Sequence, residues 1–184
     1  SPGYTSATLT GPEGTFDLSP DSAQPFLFET TGDPEAMADI WAADAAYTFL
    51  GQGGAYPSFE VQEFVRTPRA FRVNSPVIDG AGLSYQSQSG FALEWTGGAS
   101  SDGYVVAILR RSTDGTDNLE TVTCAMEDDG SFTVPSGTWA GWTAGQFIVL
   151  QVGRVQPGLG TLPHDNGASS AVGVYWNLGA VATQ

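Results

Sequence analysis

The chain has 184 residues and a formal net charge of −14, because twenty acidic residues outweigh six arginines and lysine is absent. A hydrophobic content of 41% predicts a folded globular protein rather than a disordered one. No cluster of arginines could neutralise a run of phosphates, so we expect no nucleic-acid partner, and an anionic membrane surface is equally unfavourable. No apolar run is long enough for membrane insertion.

The first 75 residues predict a smaller β-region made of short strands. Each apolar or alternating run is bounded by Gly, Pro or Asp, as strands between turns are, at residues 7–10, 14–18, 26–28, 47–50, 59–61 and 70–73. Asp33-Pro34-Glu35 is a helix-start signal, and the residues from there to Ala46 form either one short helix or a turn followed by an edge strand. Both alternatives stay open.

The start of the chain, Ser1-Pro2-Gly3-Tyr4, is expected to be a trimmed mature terminus. The following run, Thr8 to Thr10, is either an ordinary first strand paired within its own sheet or a mobile strand that pairs in trans with a neighbour. A composition rich in Gly, Ser and Thr favours an exported protein, located in the periplasm, at the cell surface or in the medium.

Residues 76–184 predict an immunoglobulin-like or fibronectin-like β-sandwich, which makes the chain all-β with the smaller region at residues 1–75 packed before it. Phe91, Leu93 and Trp95 alternate onto one face, and further strands are predicted at 104–109, 119–126, 132–134 and 147–152. Turn sequences such as Asp128-Asp129-Gly130 separate them. We expect Trp95 and Trp176 in the core, with Trp95 at the position of the strand-C tryptophan of such sandwiches.

Several of these motifs carry a resemblance. Five segments resemble, in their order and spacing, segments of a group of uncharacterised secreted bacterial proteins, many of them lipoproteins. The segments are Gly53 to Phe59, Ser75-Pro76, Leu93 to Gly97, Val122-Thr123-Cys124 and Asp128 to Pro135. The resemblance covers roughly residues 45 to 155. It implies an immunoglobulin-like sandwich preceded by a smaller β-region, and it implies no catalytic residue. The chain departs from a lipoprotein in lacking a cysteine at its start.

The chemical inventory argues against an enzyme. Without lysine there is no P-loop and no Schiff-base chemistry. The single histidine, His164, is expected in a solvated surface turn, and the single cysteine, Cys124, is expected to be a buried apolar residue. A carboxylate-based hydrolase would need a pair such as Glu60, Glu63 or Glu94 in one cleft, and solvated strand residues are the simpler interpretation.

Two acidic turns are either calcium sites or ordinary hairpin turns. Carboxylate and amide oxygens are ligands that calcium prefers, yet Asp, Asn and Gly are also favoured in turns for backbone reasons. The candidate ligands are Asp114, Asp117, Asn118, Asp128 and Asp129. No other cofactor is indicated.

Aromatic residues near loops offer a binding surface. Exposed aromatic rings stack on sugars or anchor protein interfaces, and the candidates are Trp139, Trp142 and Tyr56. The sequence therefore predicts a non-enzymatic exported protein that works as a structural or interaction subunit of an extracellular assembly, through protein partners or self-association. The alternative is a carbohydrate-binding module that takes a glycan on these loops.

Overall fold

A computed structural model describes residues 5–20, 28–30, 39–54, 57–78, 84–86, 91–97, 103–112, 119–139, 143–164 and 167–184. These residues confirm the predicted all-β class, with strands arranged in several mainly antiparallel sheets. The described strands are β1 (Ser6–Gly11), β2 (Gly14–Pro20), β3 (Phe28–Thr30), β4 (Ala46–Gln52), β5 (Phe59–Arg66), β6 (Val73–Ser75), β7 (Ser84–Gln86), β8 (Phe91–Trp95), β9 (Tyr104–Ser112), β10 (Leu119–Glu127), β11 (Ser131–Val134), β12 (Phe147–His164) and β13 (Gly167–Thr183).

The chain divides into two compact units, and each unit consists of two separate stretches of the sequence. Unit 1 comprises Ser1–Pro68 and Gln156–Gly173, whereas unit 2 comprises Arg69–Val155 and Val174–Gln184. The sequence-based division at residue 75 differs from this one, because residues 69–75 group with unit 2 and residues 156–173 return to unit 1. Strands β12 and β13 each contribute to both units.

Unit 1 contains a five-stranded sheet in the order β3-β2-β1-β4-β5. Strand β1 is central, since Leu9 lies opposite Phe16 of β2 on one side and Phe49 of β4 on the other. Both edges of β1 are therefore paired within the chain. This is the ordinary first strand that the sequence allowed, and the alternative of pairing in trans is wrong.

Aromatic packing fixes the connection into β4. Tyr47 is buried, and its hydroxyl donates to the Ile40 carbonyl and accepts from the Ala42 amide. Trp41 stacks on Tyr47 with ring centroids 5.9 Å apart. The helical turn described at Asp39 and Ile40 is all that the described residues show of the helix considered above, because residues 31–38 lie outside them.

Glycines let backbones approach closely within unit 1. A Cβ atom on Gly158 would collide with the Phe64 carbonyl oxygen, and one on Gly173 would collide with the Arg66 carbonyl oxygen. Strand β5 is irregular where these contacts occur, since its register with β4 shifts around Glu63, whose φ is 51°. The backbone of β5 thus packs directly on the glycines of residues 156–173.

Unit 2 contains two sheets, in the orders β10-β9-β12-β13-β7 and β11-β8-β6. Their facing side chains form one buried cluster, to which β8 contributes Phe91, Leu93 and Trp95 and the larger sheet contributes residues such as Leu109 and Leu150. The predicted inward face of β8 is confirmed, and Trp95 is 3% exposed. No helix among the described residues is long and apolar enough to span a membrane.

Candidate interaction surface

The larger sheet of unit 2 has a second face, directed away from the core, that strand register defines. Residues directly opposite in an antiparallel pair point to the same side of the sheet. Tyr104 lies opposite Val155 and Glu127, and Arg110 lies opposite Val149 and Thr121. We call this side the outer face, and its members on the three strands are residues 121, 123, 125 and 127 of β10, residues 104, 106, 108 and 110 of β9, and residues 147, 149, 151, 153 and 155 of β12.

Strand β13 extends the outer face with a large aromatic ring. The indole of Trp176 covers Gly153, because a Cβ atom added there would meet its ring at 2.5 Å. Gly153 belongs to the outer face, so Trp176 and its alternating neighbour Leu178 do too. The prediction that Trp176 lies in the core is wrong. Alternation in β13 was obscured by its small residues, and the ring packs on a glycine of the neighbouring strand instead.

The outer face is apolar and open to solvent. Phe147 is 65% exposed and Leu178 62% exposed, and Val149, Trp176 and Tyr104 are each more than two-fifths exposed. Val106 and Ile108 lie half-buried between them. On the other side of the same sheet, Leu109, Leu150 and Val152 are fully buried. Gly153 and Val155 of the outer face are buried, so the open apolar part of this face is formed by Phe147, Val149, Trp176, Leu178 and Tyr104.

A cavity opens where β9 begins and β10 ends, beside Tyr104 and Glu127 of the outer face. It has a volume of about 660 Å³ and is lined by Gly103, Tyr104 and the chain from Ala125 to Asp129. Tyr104 supplies an aromatic wall, Ala125 a small apolar one, and the exposed residues Glu127 and Asp129 supply carboxylates. Oδ1 of Asp129 accepts a hydrogen bond from the Ser131 amide at 3.2 Å, which fixes the turn after β10. This composition suits the aliphatic stem and charged head of a cationic group.

A buried ion pair lies next to this cavity, inside unit 2. The Arg154 side chain is 1% exposed, and its Nε donates to Oδ2 of Asp128 at 2.6 Å. Nη2 of Arg154 donates to Oδ1 of the same carboxylate at 3.1 Å, and the indole Nε1 of Trp95 donates to that oxygen at 2.8 Å. A buried charge is tolerated only when it is paired and hydrogen-bonded, and both charges here meet that condition.

Arg154 also binds the backbone around it. Nη1 donates to the carbonyl oxygen of Ala70 at 3.1 Å, and Nη2 donates to that of Thr96 at 2.6 Å. The guanidinium lies over the Phe71 ring, 5.0 Å from its centroid. One side chain of β12 thereby connects the segment before β6, the end of β8 and the turn after β10. Sequence reasoning missed this role, although an arginine inside the apolar run of β12 was the signal that could have indicated it.

Of the predicted calcium ligands, only Asp128 and Asp129 fall among the described residues; Asp114, Asp117 and Asn118 lie outside them. The two described carboxylates diverge, since Asp128 points into unit 2 towards Arg154 and Asp129 is exposed. Within the described ranges, no three His, Cys, Asp or Glu side chains gather as metal ligands do. Calcium binding by these turns stays a prediction.

Of the predicted aromatic sites, Trp142 and Tyr56 lie outside the described residues. Trp139 ends a 3-10 helix (Ser136–Trp139), and only its backbone is described. The glycan hypothesis for these three residues therefore stays a prediction. The aromatic residues that the structure does place on an open surface of unit 2, Tyr104, Phe147 and Trp176, were not among the predicted site residues.

The remaining candidates lie on strands. His164 is the last residue of β12 rather than part of a surface turn, and Glu60, Glu63 and Glu94 are exposed. Cys124 on β10 is half-buried against the core, and this burial raises the pKa of its thiol. A thiol with a raised pKa is a poor nucleophile at neutral pH, which agrees with the predicted packing role.

No protein-family model matches the chain, and no curated protein matches it.

Proposed function

We propose that the protein is a non-enzymatic, exported subunit of an extracellular or cell-surface assembly, and that it associates with protein surfaces through the outer face of unit 2. The observation that carries this proposal is the exposure of Phe147, Val149, Trp176 and Leu178 on one sheet face. Contiguous apolar surface of this kind is costly in water and is typical of interaction sites. Aromatic residues are also the usual anchors of protein interfaces.

Two further features support a rigid recognition module rather than a catalyst. The sheet that presents the outer face is backed by the shared core of unit 2, and Arg154 holds three segments of backbone behind it. A binding surface on strands fixed in this way needs little ordering when a partner arrives. We further propose that unit 2 is an immunoglobulin-like sandwich, because two mainly antiparallel sheets share one core around a buried strand tryptophan, Trp95. The composition discussed above supports the export part of this proposal.

The test is a single charge placed on the outer face. Leu178→Glu introduces a carboxylate where an apolar partner surface would cover it, and burial of an unpaired charge is strongly unfavourable. Thr133→Glu is the matched control, because Thr133 is an exposed strand residue on the other sheet of unit 2. Size in native extracts of the producing cells, with and without chemical crosslinking, reports association.

We expect the wild type and Thr133→Glu to migrate in complexes larger than the monomer, and Leu178→Glu to migrate as the monomer. Far-UV circular dichroism confirms that all three fold. Complexes that are equally large for all three proteins, or a wild type that is monomeric in the extract, would contradict the proposal.

A further inference from the structure

The two ends of the outer face carry opposite charges. Arg110 lies at one end and Glu127, opposite Tyr104, at the other. Positions 104 and 110 are six residues apart on β9, which corresponds to about 20 Å along a strand. The outer-face residues of β9 between them, Val106 and Ile108, are uncharged, and so are Gln151 and Gly153 opposite them on β12. The face is therefore an apolar strip with a cation at one end and an anion at the other.

Neither charge is neutralised within the described part of the chain. The ion pairs there join Arg66 to Asp44, Arg111 to Glu120 and Arg154 to Asp128. Arg110, Glu127 and Asp129 take part in none of them. Within the described residues, Arg110 thus has no carboxylate partner, and Glu127 on the same face has no cation.

The cavity at the Glu127 end fits a guanidinium group. Arginine stacks on aromatic rings and binds carboxylates in a planar fork. Tyr104 offers the ring, and Glu127 and Asp129 offer the carboxylates, around a space of about 660 Å³. The aliphatic part of an arginine side chain would contact Ala125, which lies next to Glu127 on the outer face and also lines the cavity.

We propose that the partner of the outer face is a second copy of this chain, related by a two-fold axis parallel to the sheet and perpendicular to its strands. An axis near Ala107, midway between positions 104 and 110, places Arg110 over Tyr104 and Glu127 of the partner subunit. The same rotation places the partner subunit's Arg110 over Tyr104 and Glu127 of the first copy, so the contact is made twice. The apolar strips cover each other between these two contacts. This inference rests on the proposed function and names the occupant of that surface.

Charge reversal tests the pairing. Arg110→Glu places a carboxylate over the partner subunit's Glu127, and Glu127→Arg places a guanidinium under the partner subunit's Arg110. Each single variant therefore has two repulsive contacts in place of two attractive ones. Sedimentation velocity of the purified wild type should show a concentration-dependent dimer below about 100 µM, and each variant should dimerise at least about tenfold more weakly. Glu94→Arg is the matched control, because Glu94 is exposed on the other sheet of unit 2, and its dimer constant should equal that of the wild type.

Mixing the two variants gives the decisive result. In a heterodimer of Arg110→Glu with Glu127→Arg, both ends of the interface carry opposite charges again. Equimolar mixing should restore dimerisation to within about threefold of the wild type. Recovery between two different molecules cannot come from a fold defect in either one, so it is specific to the proposed contact.

A wild type that stays monomeric, variants that dimerise as well as the wild type, or a mixture that does not recover would each overturn the two-fold pairing. These outcomes differ from failure of the proposed function. If Leu178→Glu still abolishes the complexes in native extracts while the purified protein is monomeric, the outer face binds a different protein.

Discussion

The buried ion pair between Arg154 and Asp128 allows the sharpest prediction of stability. Arg154→Met keeps a long, flexible apolar side chain but removes the guanidinium. Asp128 then stays in the interior without the guanidinium, while the indole N–H of Trp95 still donates to it. The carbonyl oxygens of Ala70 and Thr96 lose the donors that Arg154 supplies.

The expected loss follows from these contacts. Removing one member of a buried ion pair costs about 3–5 kcal/mol, since the other charge loses its opposite charge in the interior. Ala70 and Thr96 are exposed residues, so water can replace the donors that their carbonyls lose, and these two losses add little. We expect Arg154→Met to lower the free energy of unfolding by about 4 kcal/mol, which is a large share of the roughly 5–15 kcal/mol that typical domains possess.

Urea denaturation followed by tryptophan fluorescence measures this loss. Arg66→Met is the matched control, because Arg66 forms a half-exposed ion pair with Asp44 at 3.0 Å, and an exposed pair contributes at most about 1 kcal/mol. The double variant Arg154→Met with Asp128→Leu should lose less than the sum of the two single losses, since no lone charge remains buried. If Arg154→Met costs no more than Arg66→Met, or if the single losses add, the ion pair does not stabilise unit 2 as argued.

Three further outcomes are expected. Gly173→Ala should lower the free energy of unfolding by about 1–3 kcal/mol, because the added Cβ would collide with the Arg66 carbonyl. The control Gly97→Ala should change it by less than about 0.5 kcal/mol, because no atom lies closer than 3.7 Å to the added Cβ. Equal effects of the two substitutions would refute the close approach of Gly173 to Arg66. Trp95→Phe should cost about 1–3 kcal/mol in urea denaturation through the lost N–H donor to Asp128, and an unchanged midpoint would contradict the hydrogen bond. Cys124 should react with iodoacetamide at pH 8 more slowly in the folded protein than in urea, since burial raises its pKa and limits access; equal rates would show an open thiol.

The strands that the sequence predicted best are those whose side chains alternate clearly. The run from Phe91 to Trp95 was predicted with its correct ends and its correct buried face, because large apolar residues alternate with Ala92 and Glu94. The run from Tyr104 and its antiparallel neighbour β10 were also located correctly, since charged or Gly-rich turns separate them. In these segments local preference and tertiary packing agree, so periodicity alone was sufficient.

The outer face and the strands beyond residue 152 were not predicted, and the reason is physical. Gly158, Gly160 and Gly173 carry no side chain that could show an alternating pattern, and in the fold they are strand residues whose missing side chains admit the backbone of β5. Such a contact joins residues about a hundred positions apart, and no local pattern reports it. The strand predicted at residues 147–152 is correct and lies in the middle of its sheet, but apolar residues on both of its faces could not show which face is left open to solvent.

The division of unit 1 into two stretches of chain has a consequence for how the protein is made. Its first stretch ends at Pro68, and the glycine-bearing residues that pack on β5 begin to emerge only after Arg69–Val155 have been synthesised. At the usual rate of about 5–20 residues per second, the ribosome needs roughly 4–17 s for those intervening residues. During that interval β5 has no glycine backbone to pack against, so unit 1 cannot complete its fold during translation before unit 2 is nearly finished. The N-terminal stretch of unit 1 therefore stays incompletely folded during this interval. In a chain terminated early, the sheet of unit 1 would stay exposed, because the residues that pack on β5 would be missing.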